Sequence, residues 1–185
     1  DVFGNFSSAA GPSVALSSDG RTIAIGSPSN GDVGGPGSVS VFRFDGSNWT
    51  QLGSALISNL DLDGAGASVA LSSDGLTMAY GARFSDENGP VAGLVRIFRF
   101  RSGDWVQIGS TILGEPDDQA GSSVALSGDG QTVAVGSPNN GTNGLRAGQV
   151  AVYRFDGIAW RVAGSAIRGA TSGSKLGESV SLSSD

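Results

Sequence analysis

A chain of 185 residues, 38% of them hydrophobic, is long enough and apolar enough to enclose a core. Its net charge of −6 argues against nucleic acid or an anionic membrane surface as a partner, and no apolar run reaches the length of a bilayer span. With no cysteine and no histidine, disulfides, thiol nucleophiles, zinc-thiolate sites and a Ser-His-Asp triad are all excluded.

Taken in chain order, residues 1–12 read as the end of a preceding repeat or link. Ser13 to Ser17 is a first strand, and Asp19-Gly20 supplies a tight hairpin, because glycine accepts the positive φ that such turns need. Thr22 to Gly26 alternates as a second strand. A Gly/Asn/Pro-rich loop from Ser27 to Gly37 leads to a third strand, Ser38 to Phe44. Asp45-Gly46 opens another hairpin, and a fourth strand starts at Trp49. The pattern then returns. Ser13–Gly20 recurs unchanged at Ser68–Gly75, with one change (Gly128) at Ser123–Gly130, and begins again at Ser179, at spacings of 55, 55 and 56 residues. Phe42-Arg43-Phe44 recurs as Phe98-Arg99-Phe100 and Tyr153-Arg154-Phe155, each followed by a tryptophan, Trp49, Trp105 and Trp160. No segment carries a helical period.

The fold class expected is all-β, a β-propeller whose blades are four antiparallel strands. Residues 13–67 make blade 1, 68–122 blade 2, 123–178 blade 3, and 179–185 the first strand of blade 4, all in one domain. In the third strand Val39 and Val41 point one way and Phe42 and Phe44 the other, so both faces are apolar and must be covered. Stacked, near-identical neighbours do that. An open β-solenoid is the alternative, but its repeats are normally shorter. Three blades cannot close a ring and the chain begins at Asp1. The expectation is therefore a fragment of a longer chain with further copies, or several chains that close the ring together.

The sequence resembles the FG-GAP family, the repeats of integrin α-subunit propellers and of many secreted microbial and algal proteins. Gly26-Ser27-Pro28, Gly81-Ala82-Arg83 and Gly136-Ser137-Pro138 stand at the GAP position. Ala10-Gly11, Ala65-Gly66, Ala120-Gly121 and Leu176-Gly177 stand at the FG position, with the glycine kept and the phenylalanine lost. The resemblance implies an extracellular or cell-surface propeller. It does not carry over the family's calcium loops, because the corresponding place holds only Ser18-Asp19-Gly20 and its copies. Asp61-Leu62-Asp63-Gly64 looks faintly like the start of a calcium loop but lacks a further acid at the right distance. Neither metal nor cofactor is expected.

Recurring residues read as structure: the hairpin aspartates Asp19, Asp74 and Asp129 as local backbone acceptors, the tryptophans as packing between blades, and Arg43, Arg99 and Arg154 as partners of rings or hairpin acids. A blade needs its packing residues in every copy, whereas a functional site needs them once. In a four-stranded meander the long loops and the links emerge on one side. That side gathers Asp32, Asp61, Asp63, Asp86, Glu87, Asp117 and Asp118, the expected contact residues for a protein or glycan partner. Asn5, Asn48 and Asn140 head N-glycosylation sequons. The function expected is thus a non-enzymatic extracellular binding or structural module. The alternative is part of a carbohydrate-active hydrolase using paired carboxylates, in a chain whose single lysine is Lys175 and whose unrepeated acids also include Glu115 and Glu178.

Overall fold

A computed structural model describes residues 12–28 and 35–184. Among these there is no helix, and the strands form three antiparallel sheets, one per repeat. The first sheet holds β1 (Ser13–Leu16), β2 (Thr22–Ser27), β3 (Pro36–Phe44), β4 (Trp49–Gln51) and β5 (Leu56–Asp61). The second holds β6 (Ala65–Leu71), β7 (Thr77–Ala82), β8 (Leu94–Arg101), β9 (Asp104–Gln107) and β10 (Ile112–Leu113). The third holds β11 (Ser123–Leu126), β12 (Thr132–Ser137), β13 (Gln149–Phe155), β14 (Trp160–Val162) and β15 (Ile167–Arg168). Register repeats from sheet to sheet, with Gly26 opposite Val39, Gly81 opposite Val95 and Gly136 opposite Val150.

The expected single fourth strand is in fact two short strands that both pair with the third. Gly53, Gly109 and Gly164 turn through positive φ at the break, while the amides of Leu52, Ile108 and Ala163 still reach the third strand. The expected first strand of a fourth blade is not formed by residues 179–184; Ser184 nonetheless accepts a hydrogen bond from Gly128 N at 3.0 Å.

Three contacts recur where the sheets stack. At the inner edge, Ser18 N donates to Ser73 O and Ser73 N to Gly128 O, so each first strand is laced to the next. Near the opposite end of the same strands, glycine meets glycine. A Cβ on Gly26, Gly81 or Gly136 would stand 2.0 to 2.1 Å from the carbonyl oxygen of Gly66, Gly121 or Gly177. These are the glycines of the two short motifs, and the close backbone approach explains why both are glycine while the motif phenylalanine is dispensable. At the outer edge, Trp105 Nε1 donates to Leu52 O (2.7 Å) and Trp160 Nε1 to Ile108 O (2.9 Å), pinning each indole onto the strand break of the preceding sheet. Trp49, with no described sheet before it, is 41% exposed.

Apolar side chains fill the two seams. Between the first and second sheets lie Val39, Val41, Met78, Tyr80 and Phe98; between the second and third lie Val95, Ile97, Ile112, Val133 and Val135. The second sheet is buried on both faces, and every residue of β7 is buried. The first sheet is not: Val14 and Leu16 are more than half exposed. Each fully buried branched side chain contributes about 1.5–3 kcal/mol, so these seams, and not the short strands, hold the stack together.

Candidate functional site

The two ends of the stack differ in chemistry. One end carries the Asp-Gly hairpins. There Asp19 Oδ1 accepts from Ser17 Oγ (2.6 Å) and Arg21 N (2.9 Å), and Ser17 Oγ accepts from Thr22 N; Ser72 with Asp74 and Ser127 with Asp129 repeat the arrangement. These hydrogen bonds hold the Asp19 and Asp129 carboxyls below the usual carboxylate range. A hollow of about 200 Å³ at this end is lined by Leu16, Leu71, Leu126, Leu182 and several serines, with no ionisable group for acid–base chemistry.

The other end gathers the long loops and the links. Residues 83–93 and the link 114–122 form one unit: Gly114 N donates to Gly93 O, Asn88 Nδ2 to Gly114 O (2.8 Å) and Ala120 N to Ala92 O. One repeat later Gly169, Asn143 and Leu176 make the same bonds.

Among the described residues, the acids singled out from sequence divide: Asp86, Glu87 and Asp117 are exposed, and Asp63 and Asp118 are buried. Asp63 is buried; it accepts from Ser58 Oγ and from Ala65 N. Asp118 is also buried, 4% exposed, and both its oxygens accept from Asn140 Nδ2 at 2.9 Å. Burial pushes the Asp118 carboxyl up, and the Asn140 amide pulls against it. Asp86 caps its own loop by accepting from Val91 N (2.7 Å), and Glu87 pairs with Arg96 at 2.8 Å. Asp117 is exposed, and Asp61 lies at the end of β5. Asp32 and Asn5 fall outside the described residues. Asn48 is exposed, but Asn140 is 5% exposed and bonded to Asp118, so its sequon is closed to glycosylation in this fold. Asp63 and Asp118 are likewise corrected from contact residues to interior ones: each satisfies the polar atoms of its link from within.

What this end does assemble is a polar cleft of about 360 Å³ lined by Arg83, Gln119, Asn139, Lys175 and Glu178. Lys175 Nζ and Glu178 Oε1 are 3.0 Å apart, and the Arg83 guanidinium lies over the Phe84 ring at 4.6 Å. Arg83 also borders a second cleft of the same size, walled by Pro12, Pro28, Leu62 and Phe84. The two clefts occupy equivalent places in successive seams, one apolar and one charged. Their difference traces to a repeated backbone position. Gly64, Gln119 and Lys175 stand at equivalent places, with φ of 70°, 55° and 50°. The first copy uses glycine there, as the left-handed conformation favours. The other two hold a side chain in that conformation, Gln119 and Lys175. From sequence this was legible only as unrepeated residues in a repeated frame, and the acids drew attention away from Lys175, Arg83 and Glu178.

No protein-family model matches the chain, and no curated protein sequence matches it. Solved structures do. A Bacteroides fragilis protein with the provisional name 6-phosphogluconolactonase superposes with a TM-score of 0.56 and 17% identity over 85% of this chain. A Bacteroides uniformis protein of the same provisional name gives 0.51 and 17% over 88%. This chain spans 40% and 43% of their lengths. At such identity the likeness is one of fold. It nonetheless overturns the expectation of a non-enzymatic binding or structural module, because chains built on this fold carry the name of a lactone hydrolase. The exclusion of an enzyme leaned on the missing histidine and on the repetition. Opening a lactone requires neither histidine nor cysteine.

Proposed function

We propose that this chain is part of a propeller-type hydrolase that opens the lactone, or an equivalent ester, of a sugar acid, with the reaction in the Arg83–Lys175–Glu178 cleft. In this reading the three sheets are neighbouring blades of a ring completed by further copies. The stacked inner edges, the recurring glycine contacts and the FG-GAP-like spacing support that arrangement. The observation that carries the function is the meeting, in one polar cleft, of a carboxylate with two cations drawn from the loops and links of two successive repeats.

The roles follow from the chemistry. Glu178 takes a proton from water as the water oxygen adds to the lactone carbonyl carbon. Lys175 and Arg83 stabilise the oxyanion that develops on the carbonyl oxygen. The tetrahedral intermediate then expels the ring oxygen, which takes up the proton held by Glu178, and an open hydroxy acid leaves. Gln119 and Asn139 present amides suited to sugar hydroxyls. The cleft has one carboxylate and two cations, not two facing carboxylates, which favours acyl over glycosidic cleavage.

The test is acid release from a sugar δ-lactone, measured in a pH-stat above the spontaneous rate. Glu178→Gln is expected to lower kcat by about 10²–10⁴-fold. Lys175→Met is expected to lower it by about 10²–10³-fold, with melting temperatures unchanged because both groups are exposed. Variants that keep the parent rate would reject the cleft as the site.

A further inference from the structure

The link 114–122 and the loop 137–148 meet beside the polar cleft, and each gives its wall one amide side chain, Gln119 and Asn139. Both residues are half-buried, and among the described residues neither side-chain amide has a hydrogen-bond partner. Each sits next to a fully buried residue: Asp118 precedes Gln119, and Asn140 follows Asn139. Asp118 and Asn140 are 4% and 5% exposed, and they bond to each other, Asn140 Nδ2 donating to both carboxylate oxygens at 2.9 Å. A backbone bond runs alongside, from Asn139 N to Asp118 O at 3.3 Å. Each partner is also fixed within its own segment. Asp118 N donates to Glu115 O at 3.0 Å, and Asp118 Oδ2 accepts from Glu115 N at 3.4 Å. Asn140 Oδ1 accepts from Thr142 N at 3.1 Å, and Asn140 O accepts from Gly148 N at 2.9 Å. The buried pair therefore ties together two loops that are each closed on their own, one residue away from each free amide. Its loss would leave buried polar groups unpaired.

The preceding seam lacks this side-chain tie. The corresponding residues there, 55 positions earlier, are Asp63 and Ser85. The backbone bond recurs, from Phe84 N to Asp63 O at 3.0 Å. The Asp63 carboxylate turns instead to Ser58 Oγ and Ala65 N in its own link, and among the described residues no side-chain bond joins it to Ser85. Gly64 and Phe84 stand where Gln119 and Asn139 stand in the next seam, so that cleft has no amides to place. The tie between link and loop thus accompanies the amides it would hold.

We propose, on the reading of this cleft as a sugar-lactone site, that Asp118 and Asn140 are positioning residues. Their bond holds link and loop at the spacing that lets Gln119 and Asn139 hydrogen-bond the ring hydroxyls of the substrate. Neither touches the substrate. The pair sets the affinity for hydroxylated lactones and leaves the carbonyl chemistry of Glu178, Lys175 and Arg83 alone. Hydroxyl contacts remote from the carbonyl are as strong in the bound substrate as in the transition state, so their loss raises KM at unchanged kcat.

The experiment compares glucono-δ-lactone, which carries hydroxyls, with δ-valerolactone, the same ring without them. Asn140→Asp is isosteric and sets two carboxylates against each other. It is expected to raise KM for glucono-δ-lactone about tenfold, to leave kcat within about twofold, and to leave kcat/KM for δ-valerolactone unchanged. The exchange variant Asp118→Asn/Asn140→Asp restores a donor and an acceptor, and is expected to return KM to the parent value. If Asn140→Asp fails to fold, Asn140→Ser takes its place with the same expected rise in KM, since serine stands there in the preceding repeat. A parent-like KM in the single variant, a loss that δ-valerolactone shares, or no recovery in the exchange variant would overturn the positioning role and leave the lactone reading standing. A parent protein inactive on both lactones would overturn that reading instead. The positioning role is then read from NMR titration with gluconate, where equal affinity of parent and single variant, or no saturable binding by the parent, overturns it.

Discussion

At the scale of single residues, the contacts that repeat are the ones that bear the stack, and they define where it is fragile. A methyl group on Gly81 would meet the Gly121 carbonyl oxygen at 2.0 Å, and neither backbone can retreat without parting two sheets. Gly81→Ala is expected to destabilise the protein by about 1–3 kcal/mol, read from chemical denaturation; a neutral outcome would show that the seam yields more easily than its geometry implies. Trp105→Phe keeps most of the ring but strands the Leu52 carbonyl, and should remove about 1–3 kcal/mol. Much of this was legible beforehand. The retained glycines, the hairpin aspartates and the once-per-repeat tryptophans all have the structural roles their recurrence suggested. The serine that begins each hairpin motif was not read: Ser17 Oγ donates to Asp19 and accepts from Thr22 N, a pairing invisible until the turn is closed. Nor could the fate of the acids be read. Whether Asp63 or Asp118 faces solvent depends on which way its link folds back, and a spacing pattern does not encode that.

At the scale of elements, the hairpins make stability depend on acid. Asp19, Asp45, Asp104, Asp129 and Asp156 are all held below the normal carboxylate range by hydrogen bonds, chiefly from neighbouring side chains or backbone amides. Asp156 falls to about 2, through the Ala159 and Ile158 amides with help from Arg161. Because their folded-state values lie below the unfolded ones, their contribution is present above the unfolded value of about 4 and is lost as pH falls toward 2. Melting temperature is therefore expected to hold from pH 7 to 5 and to fall steeply between about pH 4 and 2. Asp118 acts in the opposite sense, since a raised folded value favours the protonated form and stability from this one group declines as pH rises through it. An Asp118→Asn variant should thus lose little at neutral pH as long as the new amide still meets Asn140. The broken fourth strand belongs to this scale too. Its glycines, Gly53, Gly109 and Gly164, could be read as turn residues. Their purpose, receiving the next sheet's indole, required the neighbour: a Cβ on Gly53 or Gly109 would stand 2.7 to 2.8 Å from that ring.

At the scale of the whole molecule, three near-identical sheets supply a frame, and the proposed chemistry sits where they depart from identity. The frame explains why the middle sheet is buried on both faces while the first is bare, with Val14 and Leu16 each more than half exposed. A ring of further copies would cover such faces, and is expected to appear as protection of β1 amides from hydrogen exchange in the intact protein. Persistent fast exchange there would argue for an open stack. The departures concentrate at the long-loop end, where one seam's cleft is apolar and the next is charged through Gln119, Lys175 and Glu178. The activity proposed for this charged cleft is the opening of lactones. The most direct measurement is the rate of acid release from a sugar δ-lactone at neutral pH, with the intact protein against buffer alone and against Glu178→Gln. The expected result is a rate above buffer that saturates with lactone concentration and collapses toward the buffer rate in the variant, while both proteins melt together. A parent protein indistinguishable from buffer, or a variant as fast as the parent, would contradict it.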